Sequence, residues 1–193
     1  MDQAVLMRDR VLAAAEQCLL EGGFGSSRLH SEIARRAGLS RPTVYKYVGD
    51  QDSIIAAVIQ REFELFLARL RPVLELRLPF DEHLVAVMTF VVGQAREHPL
   101  LQAALRDTPE RLLPWFTTRA GALVEQVEPL ALPGIRRYIA AGELPDVDPR
   151  MLLDALCRIG LSLVFTNGLF DLSDPDALRA YLTSFLRPSV RRS

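Results

Sequence analysis

The stretch Leu29-His-Ser-Glu-Ile-Ala-Arg-Arg-Ala-Gly-Leu-Ser-Arg-Pro-Thr-Val-Tyr-Lys-Tyr-Val48 decides how the rest of the chain is read. Leu29, Ile33, Ala34 and Ala37 recur at helical spacing, and Gly38 follows where a helix end favours a left-handed residue. Ser40 has the side chain of a helix N-cap. Pro42 fits the first turn of the next helix, where a backbone N–H would be unpaired anyway. Val44 and Val48 point inward from that helix, while Pro42, Thr43, Lys46 and Tyr47 point away. Tyr45 lies near Val48 on the same wheel and is expected to divide itself between core and surface. Two short helices joined by Ala37-Gly38-Leu39-Ser40 have the spacing of a helix-turn-helix, about residues 29–48. Small Ala34 and Ala37 let the two cross closely. Such a pattern also occurs in ordinary helix packing; what points to DNA is the outward face, whose hydrogen-bonding and aromatic side chains suit the major groove.

Upstream, Val11, Leu12, Ala15, Cys18 and Leu19 form an apolar stripe that stops at Gly22-Gly23, and the second helix is expected to start at Ser26 or Ser27. Downstream, Asp50 or Asp52 opens a long helix through Ile54, Ile55, Val58, Ile59, Phe63, Phe66 and Leu70, which Pro72 should kink and Pro79 end. Asp81 precedes another apolar series that stops at Pro99. Thr108-Pro109-Glu110, Asp148-Pro149 and Asp174-Pro175 each read as a cap followed by proline in the first turn. The first of these is expected to open one helix reaching Val127. Period-two alternation is nowhere long enough to argue a sheet, so the expectation is an all-α protein of nine or ten helices.

Composition bounds the function without naming it. The net charge is −1, and residues 1–66 carry eight Arg and Lys against nine Asp and Glu. Basic charge concentrates only in 28–47, where Arg28, Arg35, Arg36, Arg41 and Lys46 face the single acid Glu32, a footprint for a few phosphates. Arg35 and Arg36 read as a solvated face rather than base readers. Lys46 is the only lysine beside 22 arginines, a bias that fits a GC-rich bacterial genome. Cys18 and Cys157 belong to no metal or redox spacing and are expected to be buried, reduced thiols. Asp2 and Asp9 leave no apolar leader core near the start, and no apolar run approaches the roughly 18 residues of a membrane span. A cytoplasmic protein is expected.

With these residues in view, the chain resembles the tetracycline-repressor (TetR) family. Its pattern is met by Ile33-Ala34, Ala37-Gly38-Leu39-Ser40 and Thr43-Val44-Tyr45-Lys46-Tyr47-Val48. The resemblance is specific over residues 6–66 and general beyond. It implies a three-helix DNA-binding domain over 6–66 and a helical ligand-sensing and dimerisation domain over 67–193. It also implies an inverted-repeat operator in double-stranded DNA, a small-molecule effector, and a homodimer joined through about 148–187. Arg41, Pro42, Thr43, Tyr45, Lys46 and Tyr47 fall at positions that contact bases or phosphates. The chain departs from the family at Gln51, where a phosphate-binding lysine is usual. It departs again at Arg28-Leu29-His30-Ser31, where a Thr-Thr or Thr-Ser pair is usual; Arg28 or Ser31 is expected to take over part of the backbone role.

No catalytic constellation assembles. His30, His83 and His98 lack metal-ligand spacing, and Gly23-Phe24-Gly25 has the outline of a dinucleotide loop without a preceding strand or a third glycine. No enzyme activity, metal or cofactor is therefore expected. In the second domain, Phe66, Leu84, Met88, Val91, Trp115, Phe116, Leu161 and Phe165 are candidates to line an effector cavity, most of them equally readable as plain core. His83, Gln94, Arg158 and Asn167 are its polar candidates. Arg158 has Asp154 one turn back as an ordinary ion-pair partner, against the sharper reading of a ligand carboxylate. Ala155, Gly160 and Ser162 are small enough to let helices approach closely at a dimer seam.

Overall fold

The computed structural model describes residues 3–186, and its regular structure there is helical throughout. Ten α-helices are present among the described residues: α1 (Gln3–Leu20), α2 (Leu29–Ala37), α3 (Arg41–Val48), α4 (Gln51–Leu74), α5 (Phe80–Glu97), α6 (Pro99–Asp107), α7 (Pro109–Phe116), α8 (Gly121–Ala140), α9 (Pro149–Phe165) and α10 (Pro175–Leu186). A single 3-10 turn, Gly23–Gly25, follows α1. Arg187, the expected end of the dimerisation segment, lies outside the described residues, as do the remaining residues of the domain expected to end at 193.

The chain divides into two compact units. One gathers the described residues up to Leu65 together with His98–Trp115; the other gathers Phe66–Glu97 with the described residues from Phe116 onward. In the first unit α1 packs on both α2 and α3, and α6 packs on α1. Val11, Leu12, Ala15 and Leu19 of α1, Leu29 and Ile33 of α2, Val44 of α3 and Ile54 of α4 are all essentially excluded from water. Each of the larger side chains contributes about 1.5–3 kcal/mol by that burial. α1 ends before Gly22, whose φ of 95° only glycine adopts without strain.

The second unit has two apolar clusters. Val85, Met88 and Val92 of α5 meet Leu178 and Leu182 of α10, while Ala131, Leu132 and Ile135 of α8 meet Leu153 of α9. Arg96 donates to the Leu172 carbonyl, tying α5 to the α9–α10 connection. Asp148 and Asp174 act as expected: their carboxylates accept from the backbone N–H groups of Arg150 (2.7 Å) and Ala177 (3.1 Å).

Four boundaries differ from expectation, each for a local reason. α2 begins at Leu29, because the Ser26 hydroxyl accepts from the Arg28 N–H (3.1 Å) and turns the chain before the helix starts. α4 continues through Pro72 and stops at Leu74, well before Pro79, so the proline sits in the final turn. The helix expected to run from Pro109 to Val127 is two, α7 and α8, separated by Thr117–Ala120. Thr108 does not cap α7 through its side chain; its Oγ1 is buried with no hydrogen-bond partner among the described residues. Finally, the sequence reading places no helix between Val127 and Asp148, yet α8 runs on to Ala140 through Pro129 and Pro133. Burial of Ala131, Leu132, Ile135 and Tyr138 on one face outweighs the two hydrogen bonds those prolines forfeit.

Candidate nucleic-acid interface

The turn between α2 and α3 is built as the sequence implies. Gly38 adopts φ 62° and ψ 40°, and the Leu39 N–H closes onto the Ala34 carbonyl at 2.9 Å. Ser40 Oγ accepts from the Thr43 N–H (3.3 Å) and pairs with Thr43 Oγ1 (2.7 Å), which fixes the first turn of α3. At the other end Gly49, with φ 74° and ψ −149°, donates its N–H to the Tyr45 carbonyl. Val44 and Val48 are buried, Arg41, Pro42, Tyr45 and Lys46 are exposed, and Thr43 and Tyr47 are half-buried. Lys46 Nζ lies 5.9 Å from the Tyr47 ring centroid, so the two form a continuous cationic and aromatic surface.

Arg28 is exposed just before α2, and its carbonyl accepts from the N–H groups of Ser31 and Glu32. Ser31 is half-buried in the first turn. Arg36 is paired with Glu21 at 2.6 Å, and that hydrogen bond raises its guanidinium above the ordinary arginine value. It is tied to Glu21, just past the end of α1, and stays exposed, in keeping with its reading as a solvated side chain. Asp50 caps α4 through the Ser53 N–H (2.8 Å); the hydrogen bonds from Ser53 hold its carboxyl below the usual range.

Two residues that depart from the family pattern have structural partners here. Gln51 Nε2 donates to the Phe24 carbonyl (3.0 Å), and Arg111 of α7 approaches the same oxygen (3.5 Å) while facing Asp52 at 3.8 Å. His30 is buried, stacks flat on Tyr45 and contacts the Gly49 carbonyl. Sequence reasoning did not reach either arrangement, since the partners lie 27 and 19 residues away.

Of the candidates for an effector site, Phe66, His83, Met88, Val91, Phe116, Arg158 and Phe165 fall in the second unit. Trp115 packs with the first unit. Met88 is part of the α5–α10 core, and Val91 is half-buried on the same helix. His83 is buried with both ring nitrogens occupied, by Tyr138 Oη (2.7 Å) and by the Val73 carbonyl (2.8 Å), and Tyr138 in turn donates to the Leu78 carbonyl. Arg158 is exposed and paired with Asp154 at 2.7 Å, the bland alternative. Phe116 and Phe165 pack at 4.7 Å between centroids with their rings tilted by 30°, and Phe66 lies 6.2 Å from Phe90. His98 caps α6, its Nδ1 accepting from the Leu101 N–H and its Nε2 donating to Glu62 (3.1 Å). No group of three His, Cys, Asp or Glu among the described residues is placed to hold a metal.

A family model described as "Bacterial regulatory proteins, tetR family" matches residues 11–58, which span α1 to the first turns of α4. An uncharacterized HTH-type transcriptional regulator of Mycobacterium bovis is 31% identical over 185 residues, covering 92% of this chain and 90% of that protein. The chain belongs to the TetR family of helix-turn-helix transcriptional regulators. It is thus a DNA-binding regulator and not an enzyme. Among solved structures, the TetR family repressor AlkX from Dietzia sp., implicated in biodegradation of n-alkanes, is 25% identical and covers 94% of this chain and 93% of its own, with a TM-score of 0.60. AibR, solved with isovaleryl coenzyme A and operator DNA, shares the fold at 14% identity, a TM-score of 0.59, and coverage of 93% of this chain and 97% of its own. No helix among the described residues of this TetR-family chain is long and apolar enough to cross a membrane.

Proposed function

We propose that this chain is a cytoplasmic, ligand-responsive repressor, released from an inverted-repeat operator by a small and largely apolar molecule. The observation that carries the reading is the outward face of α3, where Arg41, Pro42, Thr43, Tyr45, Lys46 and Tyr47 surround a helix whose Val44 and Val48 are locked inside. Residues 6–66 form the DNA-binding domain, with Arg28 and Ser31 meeting the backbone beside α2. Residues 67–193 sense the ligand and dimerise. An aliphatic effector is supported by the repressor AlkX, implicated in n-alkane biodegradation. The aromatic pairs Phe116–Phe165 and Phe66–Phe90 supply apolar surface in the second unit that such a molecule would contact.

The homodimer is supported by α9 and α10. Met151 is 73% exposed, Ile159 50% and Phe185 64%, and Ala155 and Ser162 continue the α9 face at helical spacing. An isolated surface rarely carries such a stripe unless something covers it. A two-fold protein reads an inverted repeat, with half-sites spaced by its two recognition helices. A gel shift with DNA from beside its own gene tests the reading. Binding should be retained by the wild type and lost by the Thr43→Ala/Lys46→Ala/Tyr47→Ala variant. Unchanged affinity in that variant would sink the assignment of α3, and a monomer by light scattering at micromolar concentration would sink the dimer.

A further inference from the structure

Tyr45 is the most exposed aromatic side chain on α3, at 47%, yet one face of its ring is covered. His30 of α2 lies flat against it, the centroids 3.9 Å apart and the planes within 7°. His30 itself is only 7% exposed. Its Nε2 stands 2.9 Å from the Gly49 carbonyl; a carbonyl only accepts, so Nε2 carries the proton. Gly49 donates its own N–H to the Tyr45 carbonyl at 2.9 Å, closing a ring of three contacts. An aliphatic side chain would fill this position without the cost of desolvating an imidazole. What histidine adds here is the stack and the hydrogen bond, and both act on α3.

We propose that His30 is a positioning residue for DNA readout, holding the Tyr45 ring in its binding orientation from below while fixing the end of the helix that carries it. The inference rests on the reading of α3 as the DNA-contacting helix. An exposed tyrosine must otherwise be ordered at the moment of binding, and ordering it beforehand removes that cost. The benefit reaches only duplexes in which Tyr45 meets a defined group. Non-specific binding depends on phosphate charge and is indifferent to the angle of one ring.

The test starts with a duplex that the wild-type protein enriches from a random pool, and a scrambled duplex of equal length. His30→Gln keeps an N–H within reach of Gly49 but removes the ring; His30→Phe keeps a flat ring and removes the hydrogen bond. His30→Gln should lower the affinity ratio of enriched to scrambled duplex about tenfold, with scrambled binding and the melting temperature little changed. The upfield ring-current shifts of the Tyr45 ring protons should vanish with it. His30→Phe should cost less than about threefold, and it carries the test if His30→Gln does not fold. In a Tyr45→Ala background, His30→Gln should change the ratio no further. Equal losses on both duplexes, an unchanged ratio, a tenfold loss in His30→Phe, or a His30→Gln effect that persists without Tyr45 would each overturn the proposal. A wild-type protein that enriches no duplex would overturn the reading of α3, and this inference with it.

Discussion

Lys46 and Thr43 sit three residues apart on α3 and are expected to fail differently. Lys46 is exposed and carries a mobile charge, so Lys46→Ala should weaken binding to every duplex and reduce the slope of log K against log salt by about 0.9. Thr43 is half-buried and its hydroxyl is tied to Ser40, so Thr43→Ala should relax preference at one base position by about 1–3 kcal/mol. Salt titrations and a panel of single-base variants separate the two. Cys157, expected to be buried, is only half-buried, and that partial burial raises its thiol pKa to about 11, against about 8.5 for a free thiol. The thiolate, the form that reacts, is then scarce at neutral pH. Alkylation of the native protein at pH 8 should be roughly a hundredfold slower than in denaturant, and a rate matching the denatured chain would contradict that burial. Arg158 was legible from spacing alone, because an ion pair four residues apart lies on one helix face. His83 was not, because its partner Tyr138 is 55 residues away.

Among the elements, the glycines that end α2 and α3 bear different loads. Gly38 has φ 62°, and an added Cβ would meet only the end of the flexible Arg10 side chain at 3.0 Å. Gly38→Ala should therefore cost about 1–2 kcal/mol, the ordinary left-handed penalty. Gly49 combines φ 74° with ψ −149°, and its added Cβ would stand 3.0 Å from Ser53 Cβ, the first turn of α4. Gly49→Ala should cost more, about 3 kcal/mol or above. Urea unfolding of both variants orders them, and the reverse order would count against this account of the turn. The α6–α7 junction offers the opposite case. Thr108 is buried, with its Oγ1 unpartnered among the described residues, so Thr108→Val should keep the shape, remove the orphan hydroxyl and stabilise the protein by about 1 kcal/mol. A lower melting temperature for that variant would show the hydroxyl to be satisfied in solution.

For the whole molecule, the expected mechanism is a coupling between effector and operator. α4 contributes residues up to Leu65 to one unit and residues from Phe66 onward to the other. Pro72, expected to be the bend, lies past that division in the last turn of α4, so the helix crosses the division without a proline. Two rigid readers engage both half-sites only at one separation, so an effector that favours another separation releases DNA. The shift can be no larger than its differential affinity for the two states, typically about 1–3 kcal/mol. Reciprocity then requires operator DNA to weaken effector binding by the same factor. Titrating an effector with and without operator measures it, and equal affinities would rule the mechanism out. Met88→Trp is not a clean way to block an effector site, since Met88 stands in the α5–α10 core and a larger ring there would overpack it.

The sequence by itself determined the all-helical class, the Gly38 turn, the caps at Ser40, Asp148 and Asp174, and the buried faces of α1, α2 and α3. Each of these is written within one or two helical turns, where spacing and side-chain chemistry act on the nearest backbone. Only the tertiary structure decided that α6 and α7 pack with the N-terminal helices, that α8 survives two prolines, and that His30, Gln51, His83 and His98 have structural partners. A polar side chain takes whichever partner long-range packing brings within hydrogen-bond distance, and a helix tolerates a proline when the face it buries outweighs the bond it loses. Neither condition is visible in the residues on either side.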